Sequence, residues 1–368
     1  MYEINLENHI KNIIKEGAQS YDEIFRRSKG AFPDIVFPIV KSAVDLPKSA
    51  EENNNDRALD ALPEPNPSNF DWRFDQETIR FICDLLAKYN ISRIGLFGAP
   101  SLFPPLAKRY GEVVLFDVNN LLVQAFHSDE RINIIDINYL DTTKYGKFDC
   151  VFMDPPWYLS YFQNWFQKAN ELLVDGGMLI STLFQEFLRP DARPELLQIH
   201  DNASMGGDVS ILNNAVSYVT PVFEKRIFAA KEIPVKGNWR VADLMVVKKQ
   251  RQTELPIITV PKDDWIRILL NNKVIAIRQE AETSPVSVTE PFQTGTLLLT
   301  VSDRDPVKKK INLITSDNHG LMVTGTTRIT HFLRALADGE NRLKLTERMN
   351  INPGEQIFLN TILKLVNL

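Results

Sequence analysis

From residue 75 to residue 183, stretches of two apolar periods take turns. Residues 75–89 place Ile79, Ile82, Leu85, Leu86 and Tyr89 at helical spacing behind Asp75, a candidate cap. Residues 91–97, 113–116, 132–135, 150–153 and 178–183 are strand signals. Most are short and almost continuously apolar, as parallel strands buried on both faces are. Helical stretches separate them: the turn and helix that begin at Gly98, then 119–127, then 159–173, closed by Asp175-Gly176-Gly177. Two more strands, 226–230 and 242–247, lie close enough for a hairpin. This rhythm predicts an α/β domain over residues 71–250. Its Rossmann-like, mostly parallel seven-stranded sheet has five parallel strands closed by an antiparallel pair.

The flanks carry other patterns. Residues 1–44 form an N-terminal helical segment, with helical stretches at 9–15 and 21–27. Residues 45–70 are rich in Pro, Asn and acid and read as a linker. Residues 255–368 read as a C-terminal α+β domain, with strands at 273–277, 295–301, 310–315 and 321–323 and helices at 327–337 and 354–366. Its size and its lack of a catalytic motif suggest substrate selection.

Composition narrows the class. No apolar run reaches the roughly 18–20 residues of a membrane span, and the first residues lack the basic start and apolar stretch of a signal peptide. A cytoplasmic enzyme with no membrane partner is expected. With only 2 Cys and 5 scattered His, neither a disulfide scaffold nor a metal site is expected. The charge is −7 over residues 1–250 and +2 over 251–368, so neither part is a strongly basic nucleic-acid binder. The run Lys308-Lys309-Lys310 reads as a solvated turn.

The sharpest chemical signal is Asp154-Pro155-Pro156-Trp157 at the end of an apolar strand. Ligands of open α/β sheets bind outside the carboxyl ends of strands, so this loop is expected in the crevice. Two prolines fix the backbone and remove two N–H donors. The carbonyls of Asp154 and Pro155 and the Asp154 carboxylate are then left to accept hydrogen bonds beside the flat face of Trp157. Such an array suits an amino group held for attack on an electrophile, and an aromatic amine could stack on Trp157.

The first crossover loop carries Gly98 but no G-x-G-x-x-G, so no pyrophosphate cradle is indicated. Asp117, ending the second strand, can accept both ribose hydroxyls. Asp136 and Asn138, after the third, could hold an adenine amino group. Adenosine with an electrophile and no phosphate describes S-adenosylmethionine. Catalysis would rest on alignment and electrostatics.

Asp154-Pro155-Pro156-Trp157 resembles the D/N/S-P-P-Y/F/W motif of class I S-adenosylmethionine-dependent amino-methyltransferases. The order of blocks is similar to the probable N6-adenine methyltransferase family, whose relatives include the elongation factor 1A lysine methyltransferase. The blocks are residues 70–74, the Gly-poor loop Ala99-Pro100-Ser101-Leu102, Phe116-Asp117, residues 148–156 and, weakly, Asn238-Trp239-Arg240. The resemblance spans about residues 68–250. It implies that Gly98, Ala99, Pro100, Ser101, Asp117, Val118, Asp136, Asn138 and Asp154 surround the cofactor. It places Asp154, Pro155, Pro156 and Trp157 at the reacting amine.

Tyr158, Tyr161, Phe184 and Gln185 are candidate substrate contacts, and Met205-Gly206-Gly207 a gate or a surface turn. Asp154 would stabilise an ammonium in its charged form, a mild argument for a planar amine. The leading expectation is therefore methyl transfer to N6 of adenine in DNA or RNA. Protein lysine, a small-molecule or polyamine amine, and a non-catalytic binding role are the alternatives. Oligomeric state is left open.

Overall fold

The computed structural model describes residues 1–44, 46, 62–256, 258–278, 285–292, 295–302 and 304–368. Most of the expected linker, residue 45 and residues 47–61, lies outside the described residues.

Three helices open the chain: α1 (Tyr2–Lys15), α2 (Tyr21–Arg27) and α3 (Pro33–Ala43). Ser20 caps α2 by accepting from the Glu23 amide, and Pro33 starts α3, where a missing N–H costs nothing. Their apolar faces, with Leu6, Ile10, Phe25 and Val36, pack on Phe228 and Trp239 of the following domain.

That domain runs β1 (Arg73–Phe74), α4 (Gln76–Leu86), β2 (Arg93–Phe97), α5 (Phe103–Arg109), β3 (Glu112–Asp117), α6 (Leu122–Ala125), β4 (Ile132–Ile134), β5 (Phe148–Met153), α7 (Leu159–Leu172), β6 (Leu173–Leu183), α8 (Ala192–Gly206), β7 (Gly207–Val219), α9 (Val222–Ala230) and β8 (Val241–Lys249). The sheet order is β1-β7-β8-β6-β5-β2-β3-β4. Strands β2 to β6 are parallel, and β8 and β7 join antiparallel at one end. Two-residue β1 adds an eighth strand to the seven expected. The order reverses between β2 and β5, so the crevice lies beyond their carboxyl ends.

Two expectations fail here. Residues 226–230 are not a strand. They end α9, because Phe223 and Ile227, four apart, bury one helical face. The antiparallel partner of β8 is instead β7, along which Gly207 begins a 13-residue strand and no gate.

The C-terminal domain holds β9 (Trp265–Leu270), β10 (Lys273–Arg278), β11 (Ser287–Thr289), β12 (Leu313–Thr315) and β13 (Gly320–Thr324) in one antiparallel sheet, ordered β11-β13-β12-β10-β9. It carries α10 (Thr326–Ala337), α11 (Arg342–Arg348) and α12 (Pro353–Lys364). Residues 295–301, expected as a strand, make only isolated bridges. Lys308, expected in a solvated turn, is buried, and its ammonium donates to the carbonyls of Pro67 (3.2 Å) and Val301 (2.6 Å).

Candidate active site

A cavity of about 1000 Å³ opens at the carboxyl ends of β2, β3 and β5. Gly98, Asp117, Asp136 and Asp154 all line it, with Pro100, Val118 and Asn138. The two halves of the expected site therefore share one cleft. Ala99 and Ser101, expected at the cofactor, are buried at the helical turn of residues 100–102 and do not line the cleft.

Gly98 is fixed by its backbone and by its neighbours. Its φ is +62°, and an added Cβ would stand 2.8 Å from Trp165 and 3.2 Å from the Asp154 carbonyl. The Gly98 amide donates to the Phe116 carbonyl, and the Asp154 amide to the Phe97 carbonyl. The loops after β2, β3 and β5 are thus tied into one floor.

Asp154 is held by two hydroxyls. Its Oδ1 accepts from Thr182 Oγ1 at 2.6 Å and from the Tyr218 hydroxyl at 2.7 Å. Among the described residues no hydrogen bond is seen at its Oδ2. Burial pushes the carboxyl up to about 7, against the two hydroxyls and Arg240, which pull it down. Neither hydroxyl was singled out in the sequence. Thr182 leaves a signal there, as a polar residue in the apolar run of β6 beside the β5 strand.

Trp157 lines the cavity, with a cation over one face of its ring. The Arg240 guanidinium lies 4.9 Å from the Trp157 ring centre and 3.6 Å from that of Trp72. Arg240 pairs at 3.3 Å with the buried Glu224, which also accepts from Trp239 Nε1 at 2.7 Å. Burial pushes the Glu224 carboxyl up, and the guanidinium beside it pulls it down.

Asp117 is buried. Its Oδ1 accepts from the Asn119 amide at 2.8 Å, and desolvation pushes its carboxyl up to about 7. Asp136 is already engaged by the chain. Its Oδ1 accepts from the amide and side chain of Asn138, and its Oδ2 from the Asp263 amide at 3.0 Å.

Tyr158 and Tyr161 line the cavity in an aromatic cluster with Phe70. Phe184 and Gln185, expected as substrate contacts, do not reach it. Phe184 is fully buried against Phe162, and the Gln185 amide donates to Asn214 and Asp243 behind the sheet end. Among the described residues no group of three or more His, Cys, Asp or Glu is placed to hold a metal ion.

The remaining walls come from elsewhere in the chain. Phe32 and Asp34 belong to the N-terminal segment, and Val260, Asp263 and Lys308 to the C-terminal part.

The sequence matches no family model and no curated protein. Solved structures do match. The branched-chain polyamine synthase from Thermus thermophilus, in complex with N4-aminopropylspermidine and 5'-methylthioadenosine, is 13% identical with a TM-score of 0.52. That match covers 68% of this chain and 89% of the synthase. The C9 mutein of the same synthase gives 13% identity and a TM-score of 0.54, over 70% of this chain and 90% of that one. A putative RNA methyltransferase from Pyrococcus horikoshii matches more loosely, at 16% identity and a TM-score of 0.37, over 50% of this chain and 91% of that one. The fold shared with the Thermus synthase is the Rossmann-like sheet described above. At these identities the likeness extends to architecture alone.

Proposed function

We propose that this chain alkylates an amine, using the sulfonium of S-adenosylmethionine as the electrophile. The observation that carries the reading is the Asp154 carboxylate. It is anchored at one oxygen by Thr182 and Tyr218, and it shares a cleft with Gly98 and Asp117 in a loop set without a pyrophosphate cradle. Asp117 suits the ribose hydroxyls. When bound, the donor supplies a carbon activated by positive sulfur. The chain's part is to aim a nitrogen at that carbon and to take its proton. The nitrogen lone pair forms the new C–N bond, the C–S bond breaks, and its electron pair stays on sulfur as a neutral thioether.

The acceptor that fits best is a small aliphatic amine. Arg240 covers one face of the Trp157 ring and leaves less of it for a stacked base. A carboxyl raised to about 7 can take a proton from an ammonium, which an ordinary carboxylate near 4 does poorly. This reverses the sequence argument for a planar amine. Asp34, Asp71 and Glu224 line the same cavity, each already paired with a cation of the chain: Lys231, Arg73 and Arg240. The polyamine bound by the Thermus synthase supports this reading. Adenine N6 in nucleic acid is the second reading, supported by the motif and by Arg304 and Lys309 at the cavity.

The test offers the purified chain a panel of polyamines, an adenine-containing oligonucleotide and a lysine-rich protein. The donors are S-adenosylmethionine and its decarboxylated form. The co-product identifies the group moved: S-adenosylhomocysteine for a methyl group, 5'-methylthioadenosine for the longer chain. Polyamine modification is expected, with Asp154→Asn lowering kcat at least about 100-fold while donor binding persists. Label in the oligonucleotide alone would reverse the order of the two readings. An Asp154→Asn variant of undiminished rate would remove Asp154 from the mechanism.

A further inference from the structure

The segment that leads into the C-terminal domain crosses the nucleoside end of the cleft. Val260, Pro261, Asp263 and Trp265 line the same cavity as Gly98, Asp117 and Asp136. The segment is fastened along its length. The Asn164 side chain clasps Ile258 from both sides, accepting from its amide at 3.1 Å and donating to its carbonyl at 2.7 Å. The Tyr139 hydroxyl donates to the Val260 carbonyl at 2.6 Å. The Asp263 amide donates to Asp136.

Arg267, on β9, closes the fastening. Its guanidinium is buried and pairs bidentately with Asp263, both contacts at 2.9 Å. It also donates at 3.2 Å to the carbonyl of Val118, the residue after Asp117, while Asn120 donates back to the Arg267 carbonyl at 3.0 Å. These contacts fall on the loops after β3 and β4, which carry Asp117 and Asp136, the residues proposed to receive the nucleoside. The guanidinium also favours the ionised form of Asp117, the form that accepts from ribose hydroxyls.

We infer that the C-terminal domain is part of the donor site. Residues 258–265 form the outer wall of the nucleoside pocket, and Arg267 is the positioning residue that latches this wall to the ribose loop. The inference rests on the cleft being a nucleoside pocket, as proposed above. It assigns the C-terminal domain to the donor, where the sequence suggested substrate selection. A sulfonium nucleoside seated between Asp117 and this wall touches both domains at once, so donor binding and domain docking reinforce each other.

Hydrogen exchange on the full chain, with and without S-adenosylhomocysteine or 5'-methylthioadenosine, tests this. Slowed exchange is expected in two places together: the Gly98 loop and residues 258–267. Arg267→Ala should weaken binding of whichever nucleoside protects the wild type by roughly 10-fold or more, and Arg267→Lys should recover part of it. Protection of the Gly98 loop with unchanged exchange at 258–267 would overturn the inference and leave the donor site standing. If neither nucleoside slows the Gly98 loop, the donor-site reading falls and this one with it. The wild-type measurement decides even where the alanine variant does not fold.

Discussion

Tyr218 and Thr182 convert Asp154 from a strand-end acid into an aimed one. The two hydroxyls hold one oxygen, and among the described residues the other accepts no hydrogen bond. Both donate to the carboxylate form, so both hold its proton affinity down against burial. Removing one has a predictable sign. In Tyr218→Phe the carboxyl should move further up, because one donor to its charged form is lost. The rate of amine alkylation is expected to rise with pH through about 7 in the wild type, and in the variant only at higher pH. At pH 7 a loss of roughly 3- to 10-fold is expected, read from kcat/KM against pH. Residue chemistry was legible where one short stretch carried it, as in Asp154-Pro155-Pro156-Trp157. It was not legible at Arg240, whose meaning comes from Trp72 and Trp157, far apart in sequence and joined only by the fold.

At the scale of elements, the floor of the cleft depends on one strand exit. Gly98 lets β2 turn beneath Trp165 and against the Asp154 carbonyl. Gly98→Ala places a methyl group in both contacts at a left-handed φ, and should destabilise the chain by about 1–3 kcal/mol. Donor affinity should fall with it, as urea denaturation and calorimetry would show. Buried elements announced themselves: β2, β3 and β5 are apolar because both faces are covered. Strand β7 did not, because most of its first half is exposed and offers no burial alternation to read. It also carries a register shift between Leu212 and Val216, with Asn214 at φ +52°. There the Asn213-Asn214 pair looks like a turn in sequence, while Asp243 pins the bulge by accepting the Asn214 amide at 2.8 Å.

For the whole molecule, the buried acids set a pH dependence of stability. Asp117 and Asp154 are both raised to about 7, against ordinary values near 4. Below about pH 4 both states hold these protons and nothing is lost. Between about 4 and 7 the unfolded chain releases them first, so stability falls as pH rises. Above about 7 the penalty is constant. The ligand-free chain should therefore be more stable at pH 5 than at pH 8, by on the order of a few kcal/mol in denaturant titrations. Asp117→Asn should flatten the difference by raising stability at pH 8. One feature of this architecture reaches beyond equilibrium. The cleft draws its walls from Phe32 at one extreme and Lys309 at the other, while its sheet is complete at Lys249. A nascent chain emerging from the ribosome thus has every strand of the large sheet before it has the means to enclose a guest. Excising the sheet domain for engineering would preserve the scaffold and discard part of the vessel.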